Sequence, residues 1–308
     1  MSTGAAPGAA PRPLAPLRAL LEGVVDYAGL FPPASLAMSE AARNYEQYLH
    51  APESWMLGRF VVPAARLQEL QAARATLTSA SAWRVSVLVD TASIAEELSR
   101  IRQVRARDPG LRIDSVEVKL GSTAAQPAGV ARLAREVGEA FELFVEVPVD
   151  SDPQLLLGAI AAAGACAKVR TGGTTPDAFP RSSHLARFLS GCANHRVPFK
   201  ATAGLHHPLR GCYRLTYEPG ARIGAMFGFL SVLAAAAFAR AGASDAELES
   251  LLEADDAPGL AFDSSGLTWR NSRFSTDALR GTRVELARSF GSCSFMEPVQ
   301  DLRALGLL

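Results

Sequence analysis

Two lysines, Lys168 and Lys200, lie in short runs that alternate polar and apolar residues, Cys166-Ala167-Lys168-Val169-Arg170 and Pro198-Phe199-Lys200-Ala201-Thr202. A lysine amine that has lost its proton attacks a carbonyl to give a Schiff base. The resulting iminium is an electron sink that permits cleavage or formation of the adjacent carbon–carbon bond. Burial and a neighbouring cation both favour the neutral amine, so two lysines in one pocket would suit one of them to be the nucleophile. Protons must then be moved by a nearby carboxylate, amine or ordered water. Glu117, Lys119 and Glu146, from two more alternating runs, are the candidates.

Other residues admit a different chemistry. His206 and His207 follow closely on the Lys200 run. With Asp90 or Glu146 as a partner they could hold a divalent metal, although such a site needs about three converging ligands. An acid–base histidine or a plain polar loop fits the same residues. Asp26, in Asp26-Tyr27-Ala28-Gly29-Leu30-Phe31-Pro32-Pro33, either reaches the pocket or caps a turn. Ser289-Phe290-Gly291-Ser292-Cys293-Ser294-Phe295 would bring hydroxyls and Cys293 to the pocket mouth. Gly172 and Gly173 could cradle an anion with backbone N–H groups.

These residues need a scaffold, and the chain supplies a repeating one. Strand-like runs over 59–63, 83–90, 113–120, 141–148, 166–170 and 197–202 alternate with helical stretches over 64–73, 94–105, 130–140, 153–162 and 183–193. An early strand over 23–30 and a late one over 289–295 bring the number to eight, which closes a parallel barrel. The expected fold is therefore α/β, a (β/α)8 (TIM-type) barrel. A mainly helical insertion over about 205–288 precedes the last strand, with helices near 221–241, 245–253 and 276–288 and a hairpin over 261–271 turning at Ser265-Gly266. Over the catalytic end of the barrel, that insertion would be a lid or an oligomer contact. Residues 1–16, rich in Ala, Pro and Gly, are expected as a flexible tail, leaving 17–308 as one barrel domain.

Successive strand residues point to opposite faces, and here each strand has one apolar and one polar face. Helices must cover the apolar face, so the polar one turns into the lumen. Near the C-terminal strand ends, where such barrels place their chemistry, this gathers Asp90, Glu117, Lys119, Glu146, Lys168, Arg170 and Lys200. Four cations against three carboxylates give one positive charge, which favours an anionic small-molecule substrate. Thr202, Gly204 and His206 complete the expected substrate contacts.

Composition removes several alternatives. Lysine plus arginine and aspartate plus glutamate both total 31, so no basic excess points to nucleic acid or an anionic membrane. The apolar run over 223–239 contains Gly224, Gly228 and Ser231 and reads as a buried helix rather than a membrane span. Four scattered cysteines without a C-x-x-C pair suit a reduced, cytoplasmic protein. Homo-oligomerisation is left open.

Ala167-Lys168-Val169-Arg170-Thr171-Gly172-Gly173 and Phe199-Lys200-Ala201-Thr202-Ala203-Gly204, with Arg210 beyond, resemble the deoxyribose-phosphate aldolase family of class I aldolases. Arg59-Phe60-Val61-Val62-Pro63 looks like that family's second strand, and Ser115-Val116-Glu117-Val118 like the strand carrying its catalytic aspartate. The resemblance covers roughly residues 20–205. It implies a cofactor-free aldolase or lyase with Lys168 as the Schiff-base lysine, Lys200 lowering its pKa and Glu117 in the proton relay. The chain departs from the family at Arg170, in place of a small hydroxyl residue, at Glu117, in place of aspartate, and at Gly204-Leu205-His206-His207-Pro208, in place of a Gly-Gly phosphate turn. Two other readings stand beside it. One is a metal-assisted barrel enzyme (lyase, isomerase or hydrolase) using Asp90, Glu117, Glu146 and His206. The other is a non-catalytic small-molecule-binding barrel.

Overall fold

Each polar-apolar run becomes a barrel strand, and each amphipathic stretch between runs becomes a helix that covers its apolar face. A computed structural model describes residues 13–77, 81–120, 127–255 and 259–308. Helix α1 (Ala15–Leu21) leads into β1 (Val25–Tyr27), and α2 (Met38–Leu49) into β2 (Leu57–Pro63). The pattern continues through α3 (Leu67–Ala75), β3 (Trp83–Val89), α4 (Ile94–Arg107), β4 (Leu111–Lys119), α5 (Pro127–Val137), β5 (Glu142–Glu146), α6 (Gln154–Ala162), β6 (Cys166–Arg170), α7 (Ser182–His195) and β7 (Phe199–Thr202). The chain then forms a hairpin, β8 (Gly211–Arg214) and β9 (Ile223–Met226), before α8 (Phe229–Arg240) and α9 (Asp245–Leu252). A three-stranded antiparallel sheet follows, β10 (Leu260–Phe262), β11 (Gly266–Trp269) and β12 (Ser272–Ser275). Helix α10 (Thr276–Glu285), β13 (Ala287–Ser292) and α11 (Met296–Ala304) end it.

The barrel closes in the order β1-β13-β7-β6-β5-β4-β3-β2, with all eight strands parallel. This is the (β/α)8 fold expected from the pattern. The outward faces of the strands, such as Val85, Val87, Val116, Val118, Val145 and Val169, are buried beneath the helices. Inward positions carry Ser86, Ser115, Glu117, Phe144, Lys168 and Lys200, also buried. A lumen filled this way departs from the layers of branched apolar side chains usual in such barrels.

At its N-terminal end the barrel is closed by ion pairs. Arg59 Nε donates to Asp114 at 2.6 Å and its Nη2 to Glu142 at 2.9 Å, while Arg288 Nε lies 3.1 Å from Glu142. Burial works against the Arg59 charge, but Asp26, Asp114 and Glu142 outweigh it and hold the guanidinium firmly protonated. The plug leaves the opposite end as the way in.

Two expectations change. Helix α1 starts at Ala15, inside the segment expected to be tail, and residues 1–12 of that segment lie outside the described residues. The segment over 205–288 is not a single cap over the site. Helix α8 is the barrel helix between β7 and β13, buried from Phe229 to Ala239 against α7, α9 and α10, which accounts for its continuous apolar run. Among the described residues no helix is long and apolar enough to cross a membrane. The β10–β12 sheet packs on Phe238, near the C-terminal end of α8, through Trp269 at 5.3 Å and Phe274 at 4.6 Å. That end lies beside the strand N-termini, away from the site. The β8–β9 hairpin and its loop reach the open end of the barrel, where His207 stacks on Tyr213 at 3.5 Å.

Candidate active site

Register places Glu146 beside Lys168, and Lys168 beside Lys200, on three neighbouring strands. Lys168 Nζ lies 3.1 Å from Glu146 Oε2 and 3.4 Å from Glu117 Oε2. Lys200 Nζ donates to Glu117 Oε1 and to Asp26 Oδ2, each at 2.6 Å, and lies over the Phe144 ring. Ser86 Oγ donates to Glu117 Oε1 at 2.7 Å, and Ser289 Oγ to Asp26 Oδ2 at 2.7 Å. The backbone N–H of Arg59 donates to Asp26 Oδ1 at 2.8 Å. Gly58 makes room for this carboxylate, since a Cβ there would overlap Asp26 Oδ1. A chain of alternating charge thus runs Glu146, Lys168, Glu117, Lys200, Asp26, and it spans seven strands when Ser86 and Ser289 are included.

Burial fixes which charges stay. It alone would raise the pKa of Glu117, but Lys200, then Lys168, and the hydrogen bonds from Lys200 and Ser86 hold it at about 2. Asp26 is likewise lowered, burial being outweighed by Lys200 and Arg59. Lys200 is raised, because Asp26 and Glu117 overcome the burial that favours its neutral form. Lys200 is therefore a fixed, neutralised cation, and its field at Lys168 is offset by the two carboxylates that grip it.

The network opens into a cavity of about 240 Å³. Its wall includes Glu117, Lys168, Lys200, Arg170, Gly173, Thr202, Gly204 and His206, with Cys293 and the apolar Phe31, Pro32, Pro33 and Leu88. Pockets for drug-sized ligands span roughly 300–1,000 Å³, so the cavity suits a smaller molecule. Arg170 is exposed at the rim and touches only the Gly172 carbonyl, at 3.5 Å; among the described residues it has no carboxylate partner.

Several expected site residues lie elsewhere. Asp90 falls one residue beyond β3, is exposed, and accepts from the N–H of Ala92 at 2.9 Å, capping a turn. Lys119, the last residue of β4, has a 78% exposed side chain and only a 4.0 Å contact with Glu146. It faces a neighbouring depression that Glu146 and Arg170 share. Gly172 does not line the cavity: a Cβ on it would overlap the Phe179 ring, so its smallness serves packing rather than an anion cradle. Gly204, at φ +72°, sits directly against Gly172. With Asp26 inside and Asp90 and Lys119 out, three cations (Lys168, Lys200 and Arg170) stand against three carboxylates (Asp26, Glu117 and Glu146), no net charge where one positive was expected. The quartet expected around a divalent ion does not converge, because Asp90 is remote and both Glu117 oxygens face lysines.

A second cluster stands at the mouth. His206 Nδ1 is 3.0 Å from Glu297 Oε2, 3.5 Å from Ser292 Oγ and 3.9 Å from Cys293 Sγ. Tyr217 Oη is 2.9 Å from Glu297 Oε2 and 3.3 Å from Cys293 Sγ. Burial would lower the His206 pKa, but the bonds to Cys293 and Glu297 raise it to about 9. His207 turns away to Asp301 at 2.6 Å. Tyr217 and Glu297 were missed from sequence, as no local pattern ties a hairpin loop to a terminal helix. No protein-family model matches the chain, and no curated protein matches it.

Proposed function

We propose that the chain is a class I (Schiff-base) aldolase or lyase acting on a small anionic carbonyl compound, with Lys168 as the nucleophile. The observation that carries this reading is the position of Lys168. It is a nearly buried amine on the wall of a small cavity, with carboxylates at 3.1 and 3.4 Å. The likeness of the two lysine strands to deoxyribose-phosphate aldolase supports the same assignment.

The reaction starts when Lys168 passes a proton to Glu146 and its amine adds to the substrate carbonyl carbon. Glu146 returns the proton to the carbinolamine oxygen, water leaves, and the nitrogen becomes an iminium. The bond between the α- and β-carbons then breaks. Its electron pair moves to the iminium as an enamine, and the β-hydroxyl proton passes to a base as the second carbonyl product leaves. Protonation of the α-carbon and hydrolysis restore the free amine. Glu117, held at about 2, remains ionised at neutral pH and so serves as a fixed counter-charge to the iminium. The proton-carrying role passes to Glu146, a change from the role that the family resemblance assigned to Glu117. Arg170 meets the anionic group of the substrate at the rim.

The test is inactivation. Purified protein is incubated with a panel of small aldehydes, ketones and keto acids, with and without borohydride, and turnover is followed by product analysis. Irreversible loss of activity that requires both substrate and borohydride supports the reading. Turnover that borohydride leaves intact contradicts it, and saturable binding without turnover points to a non-catalytic barrel.

A further inference from the structure

The mouth cluster carries an inference separate from Lys168 chemistry. Three side chains from distant parts of the chain converge there: His206 after β7, Cys293 after β13, and Glu297 in the first turn of α11. Their Nδ1, Sγ and carboxylate oxygen lie within 4.8 Å of one another. Imidazole, thiolate and carboxylate are the three protein ligand types of zinc.

Spacing agrees with chemistry. With Zn–N, Zn–O and Zn–S bonds of about 2.0, 2.1 and 2.3 Å, tetrahedral angles put N and O about 3.4 Å apart and N and S about 3.6 Å apart. The His206–Glu297 and His206–Cys293 separations are 3.0 and 3.9 Å. Each is within roughly 0.4 Å of that geometry, and the third pair, Cys293 and Glu297, lies within 4.8 Å, a gap that rotation of those two side chains would close on the ion. His206 and Cys293 are 7% and 5% exposed, which shields the ligands from competing water. Tyr217 supplies the outer support that such sites need, its hydroxyl touching both the Glu297 carboxylate and the Cys293 sulfur.

We propose that His206, Cys293 and Glu297 bind one zinc ion at the mouth of the barrel. Three protein ligands leave a fourth position for water or a substrate oxygen, the pattern of a reactive rather than a structural zinc site. His206 and Cys293 also line the cavity that holds Lys168, so a bound ion and a bound substrate would share it. The ligand set is new with respect to the quartet that failed to converge, since Cys293, Glu297 and Tyr217 have no part in that quartet.

Cobalt(II) is the probe, because thiolate ligation gives it a near-ultraviolet charge-transfer band and tetrahedral geometry gives strong visible bands. The full chain, stripped with a chelator, is titrated with cobalt(II) and then with zinc. The expected result is one equivalent of cobalt with both sets of bands, displaced by one equivalent of zinc. The charge-transfer band disappears in Cys293→Ser and persists in Cys212→Ser, which alters an exposed cysteine outside the cluster. Tyr217→Phe keeps the bands and weakens binding by roughly 10–100-fold. Should Cys293→Ser fail to fold, Glu297→Gln serves instead: it keeps the thiolate band and lowers cobalt affinity at least as far as Tyr217→Phe does. Absence of a saturable cobalt spectrum, or a band unchanged in these variants, overturns the proposal. Neither outcome bears on Schiff-base formation, because no proposed ligand contacts Lys168 among the described residues.

Discussion

Glu117 touches both lysines, and Lys200 touches two carboxylates, so neither group can be removed without exposing a buried partner. Replacing Lys200 by methionine takes from Asp26 its lysine partner and leaves Glu117 with Lys168 alone inside the barrel. Breaking a buried pair in this way costs about 3–5 kcal/mol, and denaturant unfolding should read that loss in Lys200→Met. The same groups set the acid limit of stability. In the fold Glu117 has a pKa of about 2 against an ordinary value of 4.5, so the unfolded chain binds more protons between those values. Its contribution is complete above about 4.5 and disappears as pH falls through about 2. Unfolding followed against pH should show a steep loss across this window, shallower in Glu117→Gln; equal slopes would contradict the assignment. At the reacting centre, Glu146→Gln should lower kcat by roughly 10²–10⁴-fold, the range of a lost acid–base group. Its circular dichroism should match the parent, because Glu146 is the last residue of β5 and borders the depression beside the cavity rather than the packed core.

Strand ends decide which residues could be recognised in advance. Within β4, β6 and β7 the alternation of faces holds, so Glu117, Lys168 and Lys200 were legible as lumen residues from period alone. Past the last paired residue the pleat no longer dictates direction. Asp90 follows β3 and turns back to cap its own loop, and Lys119, closing β4, swings out to solvent. Asp26 was the harder case: β1 has three residues, too few for a period, and its carboxylate finds Lys200 only because barrel closure brings β1 beside β13. The run over 223–239 misled for a related reason. Periodicity cannot separate a short buried strand from a helix in a uniformly apolar stretch, and β9 and α8 meet at Gly228, where a Cβ would overlap the backbone of Pro208 and Leu209. Helix α2 went unassigned because its buried stripe is Met38, Ala41, Ala42 and Tyr45, half of it alanine. A prediction follows for β2. Gly58→Ala would push a methyl group into Asp26, and overpacking of this kind costs about 1–3 kcal/mol. Thermal unfolding should show the loss, and Gly58→Ala as stable as the parent would mean that Asp26 is free to move.

On the scale of the whole molecule, the barrel separates its tasks along the axis. Arg59, Asp114, Glu142 and Arg288 close one end with ion pairs, the alternating charge chain occupies the middle, and the cavity opens at the other end. The segment after β7 follows the same division, its hairpin at the mouth and its three-stranded sheet at the closed end. Truncating that sheet would therefore affect stability before it affected substrate binding. The account's central claim is that one lysine of the pair is the nucleophile while the other is a fixed charge. Borohydride trapping with a carbonyl substrate that the protein turns over, followed by peptide mass mapping, tests it directly. A single substrate-dependent adduct on Lys168, lost in Lys168→Ala with Lys200 unmodified, is the predicted result; an adduct on Lys200, or none on either lysine during turnover, would contradict it.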